Sequence, residues 1–174
     1  LAKTVTESLG LSDDDAANKI IIEAKEIGER TGVDGLISAD RIFGLLERDF
    51  LIGDIEQAVS KALAPPKNPD LSAHQTLLKL ATTREGMVRL VTTNFDCLFD
   101  LCRPELPNFV PPSLPNPSRA TDFHGIVYLH GKIDGKDDRA EGDGFVLSSS
   151  EFGRAYLSDG WATSFFKEVL ERYF

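Results

Sequence analysis

The chain has 174 residues, 41% of them hydrophobic and 27% charged, with 19 Lys+Arg against 28 Asp+Glu for a net charge of −9. That composition supports one packed domain and excludes wholesale disorder, while the acidic balance repels a polyanion and argues against direct nucleic-acid binding. No apolar run approaches the roughly 18 residues of a membrane span.

The first half reads as helical. Ser12 followed by Asp13, Asp14 and Asp15 is a helix start with acidic residues in the first turn. Ile20, Ile21, Ile22 and Ile27 supply the apolar positions of that helix, and Gly32 is its stop. A second helix is expected over Ala39–Phe50, with Ile42, Phe43, Leu45 and Leu46 buried. A third carries Ile52, Ile55, Val59 and Leu63 and ends at Pro65 and Pro66. A fourth starts at Ser72, with Gln75 placed for a capping box.

The pattern then changes. Met87–Thr92 is a short apolar, β-branched run and reads as a buried parallel strand. Phe95–Cys102 reads as a short helix, and Pro104–Pro117, with six prolines, as a loop. Gly125–Leu129 is a second strand, Lys132–Asp143 a polar connection, and Phe145–Leu147 a third strand. Ser148 with Glu151 forms another capping-box pattern, opening a helix through Tyr156. The last helix carries Trp161, Phe165, Phe166, Val169 and Leu170. The chain is therefore expected to be α/β: residues 1–82 a helical insertion, residues 83–174 an α/β core with a parallel sheet, together one domain. It starts at Leu1 without an initiator Met and stops at Phe174 inside a helical pattern, so a piece of a longer protein, truncated at both ends, is expected.

Two stretches carry candidate chemistry. Thr92-Thr93-Asn94-Phe95-Asp96 follows the first strand and His130-Gly131 follows the second. In open α/β sheets the C-terminal strand ends face the ligand crevice. The pair supplies an amide, a carboxylate and an imidazole that titrates near neutrality. From spacing alone a second reading stands beside this one: Asn94 or Asp96 caps the following helix, and His130 is structural. His74 reads as packing, and His124 as a loop or cleft residue. His124, His130 and Asp134 match no metal-site spacing. Cys97 and Cys102 form neither a zinc set nor a disulfide framework and read as core or helix-surface thiols. Without a signal peptide, the cytoplasm is the expected compartment.

TTNFD, followed 36 residues after Asn94 by His-Gly, resembles the T-x-N-x-D and H-G pair of sirtuins. More closely, the chain resembles the bacterial sirtuin-like domain of multidomain proteins, several of them anti-phage defence NAD hydrolases. Leu71-Ser-Ala-His-Gln-Thr-Leu, Arg89–Asp96, Tyr128-Leu-His-Gly and Gly144–Leu157, running on to Trp161-Ala-Thr, extend the likeness over roughly residues 40–174. The resemblance implies a Rossmann-like sheet and NAD as substrate, cleaved to nicotinamide and ADP-ribose. It implies that Asn94 and His130 are catalytic: Asn94 beside the nicotinamide ribose, His130 as base towards a ribose hydroxyl. It also implies that Asp96 holds the carboxamide, with Thr92, Thr93, Phe95 and Gly131 completing the NAD contacts.

The chain departs from that family in four places. It has no Gly-Ala-Gly-x-Ser motif, and it stops before the Gly-Tyr-Ser-type loop near the adenosine. It has Thr93 where deacylases carry Gln, and Cys97 and Cys102 in place of their four-cysteine zinc module. The last two departures favour NAD cleavage without zinc over protein deacylation. The first two lead to the expectation that the chain alone binds NAD weakly and turns it over little or not at all. A module that senses NAD or ADP-ribose without turnover, and a purely structural or interaction domain, are the other readings. Further domains of a parent chain, and a second copy of the chain, are the expected macromolecular partners.

Overall fold

The computed structural model describes residues 1–33, 37–119, 122–134, 140–141, 144–157 and 160–173. Five helices precede the first strand: α1 (Ala2–Ser8), α2 (Ala16–Thr31), α3 (Ala39–Asp49), α4 (Ile52–Leu63) and α5 (Ser72–Leu80). Then come β1 (Arg89–Thr92), α6 (Leu98–Cys102), β2 (Asn108–Phe109), β3 (Gly125–Tyr128), β4 (Lys132–Ile133), β5 (Ala140–Glu141), α7 (Ser149–Tyr156) and α8 (Trp161–Tyr173). No helix among the described residues is long and apolar enough to cross a membrane.

The helical half forms as the periodicity predicts, with instructive exceptions. In α3 and α4 the buried residues Ile42, Phe43, Leu46, Ile55, Ala58 and Val59 share one core cluster with Val5 of α1 and Ala17 of α2. Helix α2 stops at Gly32, as expected, but Ile22 and Ile27 are exposed and its buried positions are Ala17, Asn18 and Gly28. The reason is a polar anchor. The Asn18 amide donates to the carbonyls of Leu11 and Ser12, and its oxygen accepts the Thr6 hydroxyl at 2.6 Å, which turns α2 about that contact. Ile52 and Leu170, also expected inside, are exposed.

Three parallel strands form a sheet in the order β1-β3-β2. Central β3 is buried along its whole length, as parallel strands covered on both faces are. Successive side chains alternate between faces. Ile126 and Tyr128 pack with Leu78, Phe99 and Leu106 from the α5–α6 side. Val127 and Leu129 pack with Phe123, Ala155, Ala162 and Phe165 from the α7–α8 side. The chain is thus a mixed α/β protein with a small parallel sheet between helical layers. The helical half is continuous with this core, since its cluster includes Cys97, Ile133, Phe145 and Leu147.

Four local expectations are corrected. The proline-rich loop contains β2, a strand of only 2 residues, too short to leave a periodic signal. Within 132–143, Lys132–Ile133 and Ala140–Glu141 pair as an antiparallel ribbon. Phe145–Leu147 is not a ladder strand. Val146 N–H donates to the His130 carbonyl, but the next two amides, Leu147 and Ser148, donate to the Glu151 carboxylate at 2.8 and 3.1 Å. The capping box at Ser72 is not formed either. The Asp70 carboxylate accepts the Ser72 amide at 2.9 Å instead, whereas the Ser148–Glu151 box is complete.

Gly125 opens β3 at φ +145°, where an added Cβ would meet the Pro107 carbonyl oxygen at 2.1 Å. That oxygen accepts the Ile126 amide, so the close approach is what allows β2 to pair with β3. Gly125→Ala is expected to destabilise the fold by at least about 2 kcal/mol, through strain and loss of this pairing. Thermal or denaturant unfolding of the variant checks it.

Candidate functional site

The ladder between β1 and β3 sets Thr92 opposite Tyr128. Leu129 N–H then donates to the Thr92 carbonyl at 2.9 Å, carrying the pairing to the C-terminal edge. Asn94 and His130 therefore each lie two residues beyond the last registered pair, on adjacent strands of one parallel sheet. Phe95 closes the gap. Its ring centroid lies 6.3 Å from that of His130 and 5.2 Å from Phe145, and its carbonyl accepts the Ile133 amide at 2.8 Å. The TTNFD loop, the His130-Gly131 turn and the 144–146 segment converge at this edge.

His130 is half-buried, and burial holds its imidazole below the usual histidine range. Its Nε2 lies 2.7 Å from the Tyr156 phenol oxygen. Tyr156 stacks on Phe152, one turn earlier on α7, with centroids 4.4 Å apart and an interplanar angle of 22°. Burial pushes the Tyr156 phenol above its ordinary range, so it stays protonated. Neither Phe152 nor Tyr156 figures among the site residues expected from the sequence. Their i, i+4 spacing after the capping box was the available signal, and it places both side chains on the same flank of α7.

The other expected residues take varied positions. Thr93 and Asn94 are exposed at the edge, and the Asn94 amide N–H donates to the Thr92 hydroxyl at 3.1 Å. Asp96 lies one residue before Cys97, the N-cap of α6, and its Oδ1 accepts the Leu98 amide at 3.0 Å. The same oxygen lies 3.9 Å from Nε2 of His74, whose ring meets Phe99 edge-on at 4.8 Å. Asp96 is thus tied to α5 and α6, while His130 is tied to α7. His124 sits at the opposite end of β3, where its Nδ1 accepts the Val88 amide at 3.0 Å. It therefore lies away from the candidate site.

Cys97 is buried and Cys102 half-buried, and desolvation raises both thiols. Among the described residues no group of three or more His, Cys, Asp or Glu is arranged to hold a metal ion. A cavity of about 300 Å³ adjoins the His130 turn, lined by Pro111, Gly144, Val146, Arg154 and Trp161 among others. The Trp161 indole also approaches the Leu129 carbonyl, at 3.5 Å. A larger cavity, about 720 Å³, lies between α1 and α4 near Leu9, Phe50 and Lys61 and has no polar residue of the two motifs in its lining.

The chain is similar to the "uncharacterized protein y4cA" of Sinorhizobium fredii (strain NBRC 101917 / NGR234), with 31% identity over 140 residues, covering 75% of this chain and 12% of that protein. The chain therefore spans about an eighth of the length of the curated relative it matches. No protein-family model matches the chain, and no solved structure matches it.

Gly131 is expected from the sequence to touch a ligand, and the structure shows its packing role. It sits at φ +84°, and an added Cβ would meet the Gly144 carbonyl oxygen at 2.1 Å. Gly131→Ala is expected to cost more than about 1 kcal/mol of stability and to loosen the 144–146 segment from the His130 turn. Unfolding measurements, with hydrogen exchange at the Val146 amide, check this.

Proposed function

We propose that the chain is the central part of a sirtuin-like, Rossmann-like domain that hydrolyses NAD to nicotinamide and ADP-ribose. One observation carries the reading most: the TTNFD loop and His130 leave neighbouring parallel strands at the same C-terminal edge, where α/β sheets bind ligands. The residue types also fit the chemistry. In hydrolysis the glycosidic C–N bond breaks, its electron pair leaves with the nicotinamide nitrogen, and a water oxygen bonds to the ribose carbon as one of its O–H bonds breaks and the proton passes to solvent. Positive charge grows on the ribose in the transition state, so a positioned acceptor lowers the barrier.

In this proposal His130, held neutral by its surroundings, accepts the proton of a ribose hydroxyl, and the exposed Asn94 amide orients the ribose and water. Asp96 would meet the carboxamide through Oδ2, because Oδ1 is engaged by the Leu98 amide.

Nicotinamide release from NAD by the longer parent protein tests the reading. Asn94→Ala and His130→Ala are each expected to lower turnover on the order of 100-fold or more while leaving the melting temperature nearly unchanged. Retained turnover in both variants would refute the roles, and a collapse in melting temperature would show that the residues are structural.

The lowered pKa of His130 also fixes a pH dependence. The neutral form is the base, and it persists to lower pH than an ordinary histidine allows. The rate should therefore fall on acidification with a midpoint below the usual value of about 6.5. A profile of kcat/KM with its acid limb at or above that value contradicts His130 as the base.

A further inference from the structure

His130 has one hydrogen-bond partner that the family resemblance does not assign. Its Nε2 is 2.7 Å from the Tyr156 phenol oxygen, with the two rings edge-on at 5.6 Å and 88°. Both partners are held from behind. Tyr156 is stacked on Phe152, and α7, which carries both rings, is anchored by the Ser148–Glu151 capping box. The His130 carbonyl is fixed by the Val146 amide at 2.9 Å. Among the described residues, Nδ1 of His130 takes no hydrogen bond.

Two neutral groups can share this bond in two ways. If the phenol donates to Nε2, the ring proton sits on Nδ1 and the only imidazole lone pair is already engaged. The ring then has no free basic nitrogen. If Nε2–H donates to the phenol oxygen, the lone pair on Nδ1 is open. Resting on the reading of His130 as a base, we propose that Tyr156 is a positioning residue: its phenol oxygen accepts the Nε2–H of His130 and leaves Nδ1 as the nitrogen that takes the substrate proton. The step balances: the hydroxyl O–H breaks, the Nδ1–H bond forms with the imidazole lone pair, and the electron pair of the broken bond stays on oxygen. As the ring becomes cationic, the bond from Nε2–H to Tyr156 becomes charge-assisted and strengthens. Tyr156 therefore stabilises the protonated ring more than the neutral one and acts on turnover more than on substrate binding.

The test combines imidazole nitrogen NMR on the chain with kinetics on the longer parent protein. The His130 resonances are assigned by their loss in His130→Ala. In the unsubstituted chain His130 is expected as the Nε2–H form, with Nδ1 bare. Tyr156→Phe keeps the stacked ring and removes only the hydroxyl, and is expected to give a mixture of the two tautomers. Its turnover should fall on the order of 100-fold, the scale of a misplaced reacting group, with KM changed by less than about 3-fold. An Nδ1–H form in the unsubstituted chain overturns the proposal, whether or not the variant folds. So does a tautomer unchanged in Tyr156→Phe. The tautomer is read without NAD, so its result is separate from the fate of the NAD reading. Absence of nicotinamide release by the parent protein would sink that reading while the Nε2–H form still placed Tyr156 as the group that orients the ring.

Discussion

Asp100 is the junction on which the candidate site depends. One of its oxygens accepts the Tyr128 hydroxyl at 2.7 Å, and the other accepts from the ammonium of buried Lys132. Those two partners stand two residues before and two residues after His130. The same aspartate lies in α6, directly after the TTNFD loop. A single carboxylate thus connects the element that follows one motif to the chain on both sides of the other. The loss of solvent, and after it the charge of Asp100, push the Tyr128 phenol far above its usual range, so that hydroxyl remains a donor. Breaking such a buried contact leaves polar groups in an apolar core, which costs much more than making it gains.

Much of this arrangement was legible in the sequence, and the exceptions have two causes. Strand β1 and strand β3 announce themselves as apolar runs, and the capping box at Ser148 forms as its spacing demands. One cause is contact between segments distant in sequence, the other competition between neighbouring acceptors. Strand β2 exists because Pro107 and Phe109 lie beside Ile126 and Val127, and no local pattern encodes that. The segment Phe145–Leu147 has strand composition, yet Glu151 takes the amides that a ladder would need. Ser72 and Gln75 satisfy a capping-box pattern, but Asp70 reaches the helix start first. At the last two places local signals competed, and the closer acceptor prevailed.

The two motifs were equally visible, but their partners were not. Sequence spacing puts an amide, a carboxylate and an imidazole near one edge without saying which groups surround them. The structure separates Asp96, turned towards α5 and α6, from His130, turned towards α7. It also supplies Phe95, Phe152 and Tyr156 as the aromatic surroundings of the imidazole. Glu56 of α4 adds a further contribution from the helical half. Its carboxyl lies against Gly144, and burial lifts its pKa. The helices before the sheet thus form part of the wall behind the site.

The registered ladder between β1 and β3 has four pairs, from Arg89–Gly125 to Thr92–Tyr128. This brevity governs which length changes the chain can tolerate. A slip of two residues would leave every side chain on its original face and preserve the apolar burial, yet it would carry Asn94 away from His130 by about 6.6 Å, two strand rises. Packing alone cannot detect such an error. The ends of the ladder can: His124 receives the Val88 amide at one end, and the Thr92 carbonyl receives the Leu129 amide at the other. Insertions and deletions between these two locks should therefore be far less tolerated than in the connection from 103 to 119, even where they leave the hydrophobic pattern intact.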